Sequence, residues 1–212
     1  MRRKYDIQPK KTKYGGIFFR SSLEARWAVF FDCLGIEYVY EPEWYEVETG
    51  GKVANYRPDF FLPKLVKYIE IKPDKPMELE NTKAAGWSKH IGDIIILFSL
   101  KPPTDDTENG WLFLCDGHSK PVLYDGILWC ECPKCGHIDL EQCGWITSCG
   151  CFTDDEINKM EENREEWGFS SLEYFSRTKR LLDAYKIANN YRFSKISKDK
   201  IKALPFQKIL FK

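Results

Sequence analysis

Two short stretches of this chain hold residue types that could do chemistry together: Pro58-Asp59 and Glu70-Ile71-Lys72. A turn at Pro63-Lys64-Leu65-Val66 would fold them into one antiparallel hairpin whose paired positions sum to 129. Asp59 then faces Glu70, and Phe61 faces Tyr68. Lys72, two residues beyond Glu70, shares that face, while Phe60, Leu62, Ile69 and Ile71 point the other way into a core. Like charges opposed across strands are unfavourable, and a fold tolerates them when a cation sits between. Two converging carboxylates form a hard-oxygen site suited to Mg²⁺ or Mn²⁺. Such an ion lowers the pKa of a bound water and polarises a phosphoryl oxygen. Lys72 would stabilise charge developing on phosphorus, or orient the attacking water. These are the parts that phosphodiester hydrolysis needs.

Glu24 fits the same scheme. Ser21 and Glu24 form an S-x-x-E capping box, with Leu23, Trp27, Phe30 and Leu34 following at helical spacing and Gly35 as the stop. With Leu23 at zero on the helical wheel, Glu24 lies at about 100° and Phe31 at about 80°, so Glu24 borders the buried face. From there it could reach the strand ends and hold a metal directly or through water. A capping-box glutamate needs no catalytic role, and both readings stand at this point.

A second constellation is built from sulfur. The chain has eight cysteines, and six lie between Cys130 and Cys151, a clustering that favours a metal over disulfides in a chain with no secretory signal. Cys132-Pro133-Lys134-Cys135-Gly136 reads as a zinc knuckle, its glycine allowing a tight turn around the ion. Cys149-Gly150-Cys151 closes the site after a short hairpin. Four thiolates in two close pairs favour structural, tetrahedral Zn²⁺. Cys130 or Cys143 could replace one of the four, and His137 is a further candidate.

The elements that position these residues follow from periodicity and breakers. After the helix, Ile36–Glu41 and Trp44–Glu48 read as strands, turning at Gly50-Gly51, and the Asn55–Lys72 hairpin comes next. Pro76 opens a second helix, to about Gly92, with Leu79, Ala84, Trp87 and Ile91 inward. Ile94–Phe98 reads as a buried strand. Pro102-Pro103-Thr104-Asp105-Asp106 is the linker candidate. Trp111–Cys115 and Pro121–Tyr124 read as strands, and residues 154–190 as helical, with Leu172, Phe175, Leu182 and Tyr185 inward. The expected fold is thus α/β (α+β): a mixed central sheet flanked by helices, plus a small zinc ribbon and a helical C-terminal segment. The expected divisions are 14–101, 108–152, 153–193 and a basic tail at 194–212.

Composition bounds the rest. Hydrophobic residues make up 43% and aromatics 15% of 212 residues, enough for a sizeable core and against disorder. No apolar run reaches the ~18 residues that span a bilayer, and the basic start at Met1-Arg2-Arg3-Lys4 has no apolar stretch behind it. A cytoplasmic protein without a membrane partner is expected. Net charge is zero but uneven: residues 1–13 carry six Lys or Arg against one Asp, and residues 191–212 seven against one, leaving the body at −11. Basic ends could contact phosphates, or could be solvated tails. Glu41 and Glu43 read as solvated strand-edge charges, and His90 and His118 receive no role.

Phe19-Arg20-Ser21-Ser22-Leu23-Glu24-Ala25-Arg26-Trp27-Ala28, Tyr40-Glu41-Pro42-Glu43, Pro58-Asp59-Phe60 and Glu70-Ile71-Lys72-Pro73 together resemble the PD-(D/E)xK nuclease superfamily, in particular its small phage- and prophage-encoded members. The resemblance covers residues 14–99 and continues loosely to Tyr191-Arg192-Phe193. It implies a restriction-endonuclease-like core in which Asp59 and Glu70 hold Mg²⁺ or Mn²⁺, Lys72 is the catalytic lysine and Glu24 the first-helix acid. Arg20 and Arg26 are the candidate nucleic-acid contacts, though surface ion pairs explain them equally well. The expected substrate is DNA, with RNA left open. The alternative is an inactive nuclease-fold protein that binds DNA through its zinc ribbon and basic tails. A third reading is an interaction protein whose acidic body engages a basic partner.

Overall fold

The computed structural model describes residues 9–49, 51–73, 96–99, 102, 112–115, 122–124, 128–141, 149–162 and 175–194. The described residues form a mixed α+β structure with a six-stranded sheet, three two-stranded antiparallel sheets and a cysteine cluster. A hairpin of β1 (Thr12–Tyr14) and β2 (Ile17–Phe19) leads into helix α1 (Ser22–Leu34). Ser21 caps it: its backbone is extended (φ −132°, ψ 159°) and its Oγ accepts from the Glu24 N–H at 3.1 Å. Gly35 ends it at φ +70°, where a side chain would be strained. Gly35 N–H donates to Asp32 O (3.2 Å) and Ile36 N–H to Phe31 O (2.9 Å), a Schellman closure that turns Ile36 back onto the core.

The central hairpin forms in the expected register. Strand β6 (Phe60–Leu62) pairs antiparallel with β7 (Lys67–Ile71) through Phe60↔Ile69, Phe61↔Tyr68 and Leu62↔Lys67, every sum being 129. Residues 63–66 make the turn, with Val66 at φ +50°. Phe60, Leu62, Ile69 and Ile71 are buried in one core, and Phe61 stacks on Tyr68 across the other face at 4.4 Å.

On one side of this hairpin, β3 (Val39–Tyr40) pairs antiparallel with β6. On the other, β8 (Ile96–Ser99) pairs parallel with β7, then β9 (Leu112–Cys115) and β10 (Val122–Tyr124) follow antiparallel. The mixed sheet order is β10-β9-β8-β7-β6-β3. A parallel β7–β8 pair requires a crossover connection; the helix expected from Pro76 to Gly92 lies outside the described residues. So does most of the linker candidate, except Pro102, which is buried and whose carbonyl accepts from Asn189 Nδ2 at 3.0 Å.

Strand β3 is shorter than the Ile36–Glu41 expected. Glu41 takes φ +48° just before Pro42, and that left-handed residue ends the ladder. Beyond it, β4 (Tyr45–Thr49) and β5 (Lys52–Tyr56) form a separate hairpin, closed where Gly51 sits at φ +76°.

The last strands, β11 (Leu128–Glu131) and β12 (Ile138–Glu141), form the hairpin that carries the first cysteine pair. Their Trp129, Ile138 and Leu140 belong to the same buried cluster as Phe30 and Phe31 of α1, so the cysteine-bearing hairpin shares the core of the carboxylate-bearing one. The partly buried pair Lys67–Asp139 (2.7 Å) ties β7 to β12. Helix α2 (Asp154–Glu162) starts at a reciprocal capping box: Glu156 N–H donates to Thr153 Oγ1 (3.3 Å) and Thr153 N–H to Glu156 Oε2 (2.9 Å).

Helix α3 (Lys179–Asn190) packs along α1. Its buried stripe is Leu181, Ala184 and Ala188, with Tyr185 stacked on Phe30 at 4.7 Å. The expected inward Leu182 is exposed, whereas Phe175 is buried as expected and Leu172 lies outside the described residues. Thr178 as N-cap fixes the phase, and two alanines let α3 approach α1 closely, which sends Leu182 outward. Among the described residues no helix is long and apolar enough to cross a membrane.

Candidate active site and metal centre

The carboxylates Glu24, Asp59 and Glu70 arrive from three elements and are all buried, with 6%, 2% and 5% of their surface exposed. Buried acids must be paired or hydrogen-bonded, and each of these is. Glu24 Oε1 accepts from Ser21 Oγ at 2.7 Å, and Oε2 from the Arg20 N–H at 3.1 Å and from the Tyr40 hydroxyl. Burial, and then the Glu24 carboxylate, push the Tyr40 hydroxyl far above its ordinary pKa, which keeps it a donor. The capping role of Ser21 and Glu24 is therefore real, and it points the carboxylate at the sheet instead of at water.

Asp59 immediately precedes Phe60, the first residue of β6. Its Oδ2 accepts from the Ile71 N–H at 2.7 Å, so a side chain continues the ladder where the backbone stops. Its Oδ1 is gripped by the Arg20 guanidinium. Burial pushes the Asp59 carboxyl well above its usual range, and the neighbouring Glu70 and Glu24 push the same way; Arg20 and the Ile71 N–H pull it down without prevailing. Glu70 Oε2 accepts from the Tyr56 hydroxyl at 3.2 Å, and its Oε1 lies 2.7 Å from Lys72 Nζ. Lys72 thus shares the face of Glu70, as the alternation requires.

Beyond the expected residues, the site includes Glu41, Arg57, Tyr40 and Tyr56. Glu41 Oε1 lies 2.7 Å from both Arg20 Nε and Arg57 Nη2, as charge contacts without aligned hydrogen bonds. The Glu41 N–H donates to Asp59 O at 2.8 Å. Arg57 lies over the exposed Trp44 ring at 4.4 Å. Glu41 is consequently an internal bridge, with 18% of its side chain exposed, and not the solvated strand-edge charge expected. Its place before Pro42 gave no hint, because the contact depends on a left-handed backbone. Desolvation alone would lower the Arg20 pKa, but Asp59, Glu41 and Glu24 raise it above its ordinary value.

Arg26, the other candidate nucleic-acid contact, has an internal task. Its Nη1 donates to Ala188 O at 2.7 Å and to Asn189 O, and its guanidinium lies 5.6 Å from the Phe193 ring. It satisfies the carbonyls at the end of α3, where a cation is favoured by the helix dipole. Arg20, half exposed beside the carboxylates, is the better placed of the two for an external anion.

At the second constellation, Cys132, Cys135, Cys149 and Cys151 bring their sulfurs within 4.8 Å of one another. Gly136 (φ +72°) donates its N–H to Cys132 O at 2.7 Å, and the Cys132 N–H donates to His137 O at 2.8 Å, which closes the knuckle turn. Cys130 is buried on β11 against Phe175, His137 is exposed outside the quartet, and Cys143 lies outside the described residues. Burial raises the Cys132 thiol, but N–H groups of Cys135 and Lys134 and neighbouring thiols outweigh it and bring it down to about 7. Cys151 is pushed up to about 12 by hydrogen bonding with Cys135 and Cys149. A bound dication such as Zn²⁺ would let all four ionise together. Four cysteines at this closeness could hold a metal such as zinc. Among the described residues the carboxylates do not reach the same closeness; Arg20, Lys72, Tyr40 and Tyr56 engage their oxygens instead.

Arg180 wires the cysteine knuckle to α1. Its Nη1 lies 3.1 Å from Glu131 Oε1 and 3.3 Å from Gly136 O, and its Nη2 donates to Leu34 O at 2.7 Å. Lys134, between the first two cysteines, donates to Cys151 O (2.9 Å) and pairs with Glu156 (2.7 Å). The chain matches no family model, no curated protein and no solved structure.

Proposed function

We propose that this chain is a divalent-metal-dependent nuclease of the PD-(D/E)xK type that hydrolyses phosphodiester bonds, with DNA as substrate, on a restriction-endonuclease-like core. The observation that carries the reading is the burial of Glu24, Asp59 and Glu70 around the end of one hairpin, with a lysine on the same face. Three carboxylates against Arg20 and Lys72 leave a formal excess of one negative charge, and burial first, then Glu70 and Glu24, raise the proton affinity of Asp59. Such a donor set fits a hard dication. Asp59 and Glu70 would hold Mg²⁺ or Mn²⁺, and Glu24 would hold it directly or through water. When bound, the ion supplies Lewis-acid stabilisation of a phosphoryl oxygen and an acidified water.

The chain's own residues do the rest. Lys72, released from Glu70, carries a positive charge to the developing charge on phosphorus. Tyr40 and Tyr56 hold the second oxygens of Glu24 and Glu70 by donated hydrogen bonds, and so orient the free lone pairs. The cysteine quartet, as a structural zinc site, fixes the β11–β12 hairpin beneath α1 and carries no chemistry.

The test is cleavage of supercoiled plasmid in Mg²⁺ and in Mn²⁺. The wild type should nick or linearise it, and Asp59→Ala, Glu70→Ala and Lys72→Ala should not. Asp59→Ala or Glu70→Ala should also lose Mn²⁺ binding, whereas Lys72→Ala should keep it and fall in rate by ~10²-fold or more. Full cleavage by Asp59→Ala or Glu70→Ala would overturn the reading.

A further inference from the structure

Arg20 is placed unusually for an exposed arginine. Half of its side chain is open to solvent, yet its Nη2 grips the buried Asp59 and its Nε lies 2.7 Å from Glu41. Glu41 is itself fixed by Arg57 at 2.7 Å, and by its backbone N–H on Asp59 O at 2.8 Å. It holds this place at φ +48°, a conformation that non-glycine residues adopt at a cost and that persists where surroundings impose it. One end of the guanidinium thus rests on a rigid anchor and the other on a site carboxylate.

Formal charge makes the second contact conditional. Glu24, Asp59 and Glu70 sum to −3, and Arg20 with Lys72 brings the group to −1. A dication added with both cations in place would leave the buried group at +1; release of one cation returns it to zero. Arg20 is the easier one to release, because 49% of its side chain is exposed against 19% for Lys72. Its Glu41 anchor survives the release, so the freed fork stays at the edge of the site. A guanidinium in that position matches a phosphate oxygen pair in shape and charge.

We propose that Arg20 is a displaceable counter-ion: it occupies Asp59 until a divalent cation competes it off, and then, still anchored on Glu41, it binds a phosphate of the substrate. This rests on the carboxylate site being the metal site of the proposed nuclease. Metal and substrate are thereby coupled: the metal frees the arginine, and the phosphate holds it away from Asp59. By reciprocity, substrate tightens the metal by the factor with which metal tightens substrate.

The experiment titrates the zinc-loaded full chain with Mn²⁺ in the absence of nucleic acid, following free Mn²⁺ by its electron spin resonance signal. Arg20→Gln should bind Mn²⁺ about tenfold more tightly than the wild type, since no cation has to leave. Arg20→Lys, which keeps a charge but cannot span both carboxylates, should change in the same sense by less. In Ca²⁺, a short DNA duplex should bind Arg20→Gln about tenfold more weakly. A purely structural arginine would give the reverse for the ion, with Mn²⁺ affinity falling along with stability. Equal or weaker Mn²⁺ binding by Arg20→Gln and Arg20→Lys, measured on folded protein, overturns the inference. If Mn²⁺ tightens as expected but plasmid is never cleaved, the nuclease reading falls and the counter-ion role stands. If plasmid is cleaved and Mn²⁺ affinity does not move, the counter-ion role falls alone.

Discussion

Asp59→Asn should stabilise the protein in Mg²⁺- and Mn²⁺-free buffer, although it removes a charge that Arg20 contacts. Asp59 is buried, with Glu70 and Glu24 acting on it as like charges and Arg20 and the Ile71 N–H as partners. Its raised proton affinity says the unfavourable side prevails. Asparagine keeps the shape and the oxygen that accepts from the Ile71 N–H, but its amide then replaces the oxygen that accepts from Arg20, so the arginine must turn toward Glu41 and part of the gain is lost. Relief of the like-charge repulsion from Glu70 and Glu24, less what Arg20 gives up, should leave a gain of ~1–2 kcal/mol at a pH where the wild-type carboxyl is ionised. At ~2–4 °C per kcal/mol for a chain of this size, Tm should rise by roughly 2–8 °C. The sign with pH follows from linkage. The folded carboxyl titrates above its unfolded value of ~3.9, so between the two values the folded state holds the proton and the unfolded state does not. Wild-type stability from this group is therefore full below ~3.9 and is lost as pH rises through the folded value. The advantage of Asp59→Asn should be small near pH 4 and grow to a plateau. Mn²⁺ at 100 times its Kd should return ~2.7 kcal/mol to the wild type and nothing to the variant. The assay is thermal and urea unfolding across pH in buffer without chelator, so that the cysteine site stays loaded. A variant less stable than the wild type at neutral pH, by an amount that does not vary with pH, would refute the reasoning.

Zinc should copurify at one ion per chain, and Cys132→Ser should lose it and unfold at a lower temperature; elemental analysis of folded protein checks this. Arg180→Met should lower stability by ~1–3 kcal/mol, because it strips the donor from Leu34 O and Gly136 O and leaves Glu131 without its cation; faster zinc loss to a chelator should accompany it. Glu24→Gln should cost about 1 kcal/mol even though glutamine suits a capping box, since both carboxylate oxygens accept hydrogen bonds and an amide nitrogen cannot; loss of cleavage with the fold intact would mark Glu24 as more than a cap. Removing residues 194–212, which hold most of the C-terminal lysines, should weaken DNA binding across sequences and flatten its salt dependence; an unchanged salt slope makes the tail a bystander.

What was legible in the sequence was what local rules dictate. The register of β6 and β7 follows from a short turn and strict alternation, so the pairing of Phe61 with Tyr68 is legible in the sequence. The ends of α1 follow from Ser21, Glu24 and Gly35, each of which acts on its own neighbours. The knuckle follows from cysteine spacing and a glycine. Composition resolved the second cysteine pair only to a set of alternatives, because Cys130, Cys143 and His137 sit at equally plausible distances along the chain. Burial of Cys130 against Phe175 is a tertiary fact.

The misreadings have one physical origin: contacts between residues remote in sequence. Helical spacing alone puts Leu182 inward, but the phase of α3 is set by where two alanines meet α1 and by Thr178 bonding across to Glu131. Sequence alone leaves Arg26 equally a phosphate contact or a surface ion pair, because its partners, the carbonyls of Ala188 and Asn189, lie more than 160 residues away. Glu41 looked solvated because its two arginines flank it from different elements. The same contrast separates the two arginines functionally. Arg26 faces carbonyls whose need for a donor is constant, so nothing about ligand binding can free it. On the proposed reading, Arg20 faces a carboxylate whose need for a cation would end when a metal arrives, and only an arginine with such a conditional partner can exchange a structural role for a ligand-binding one.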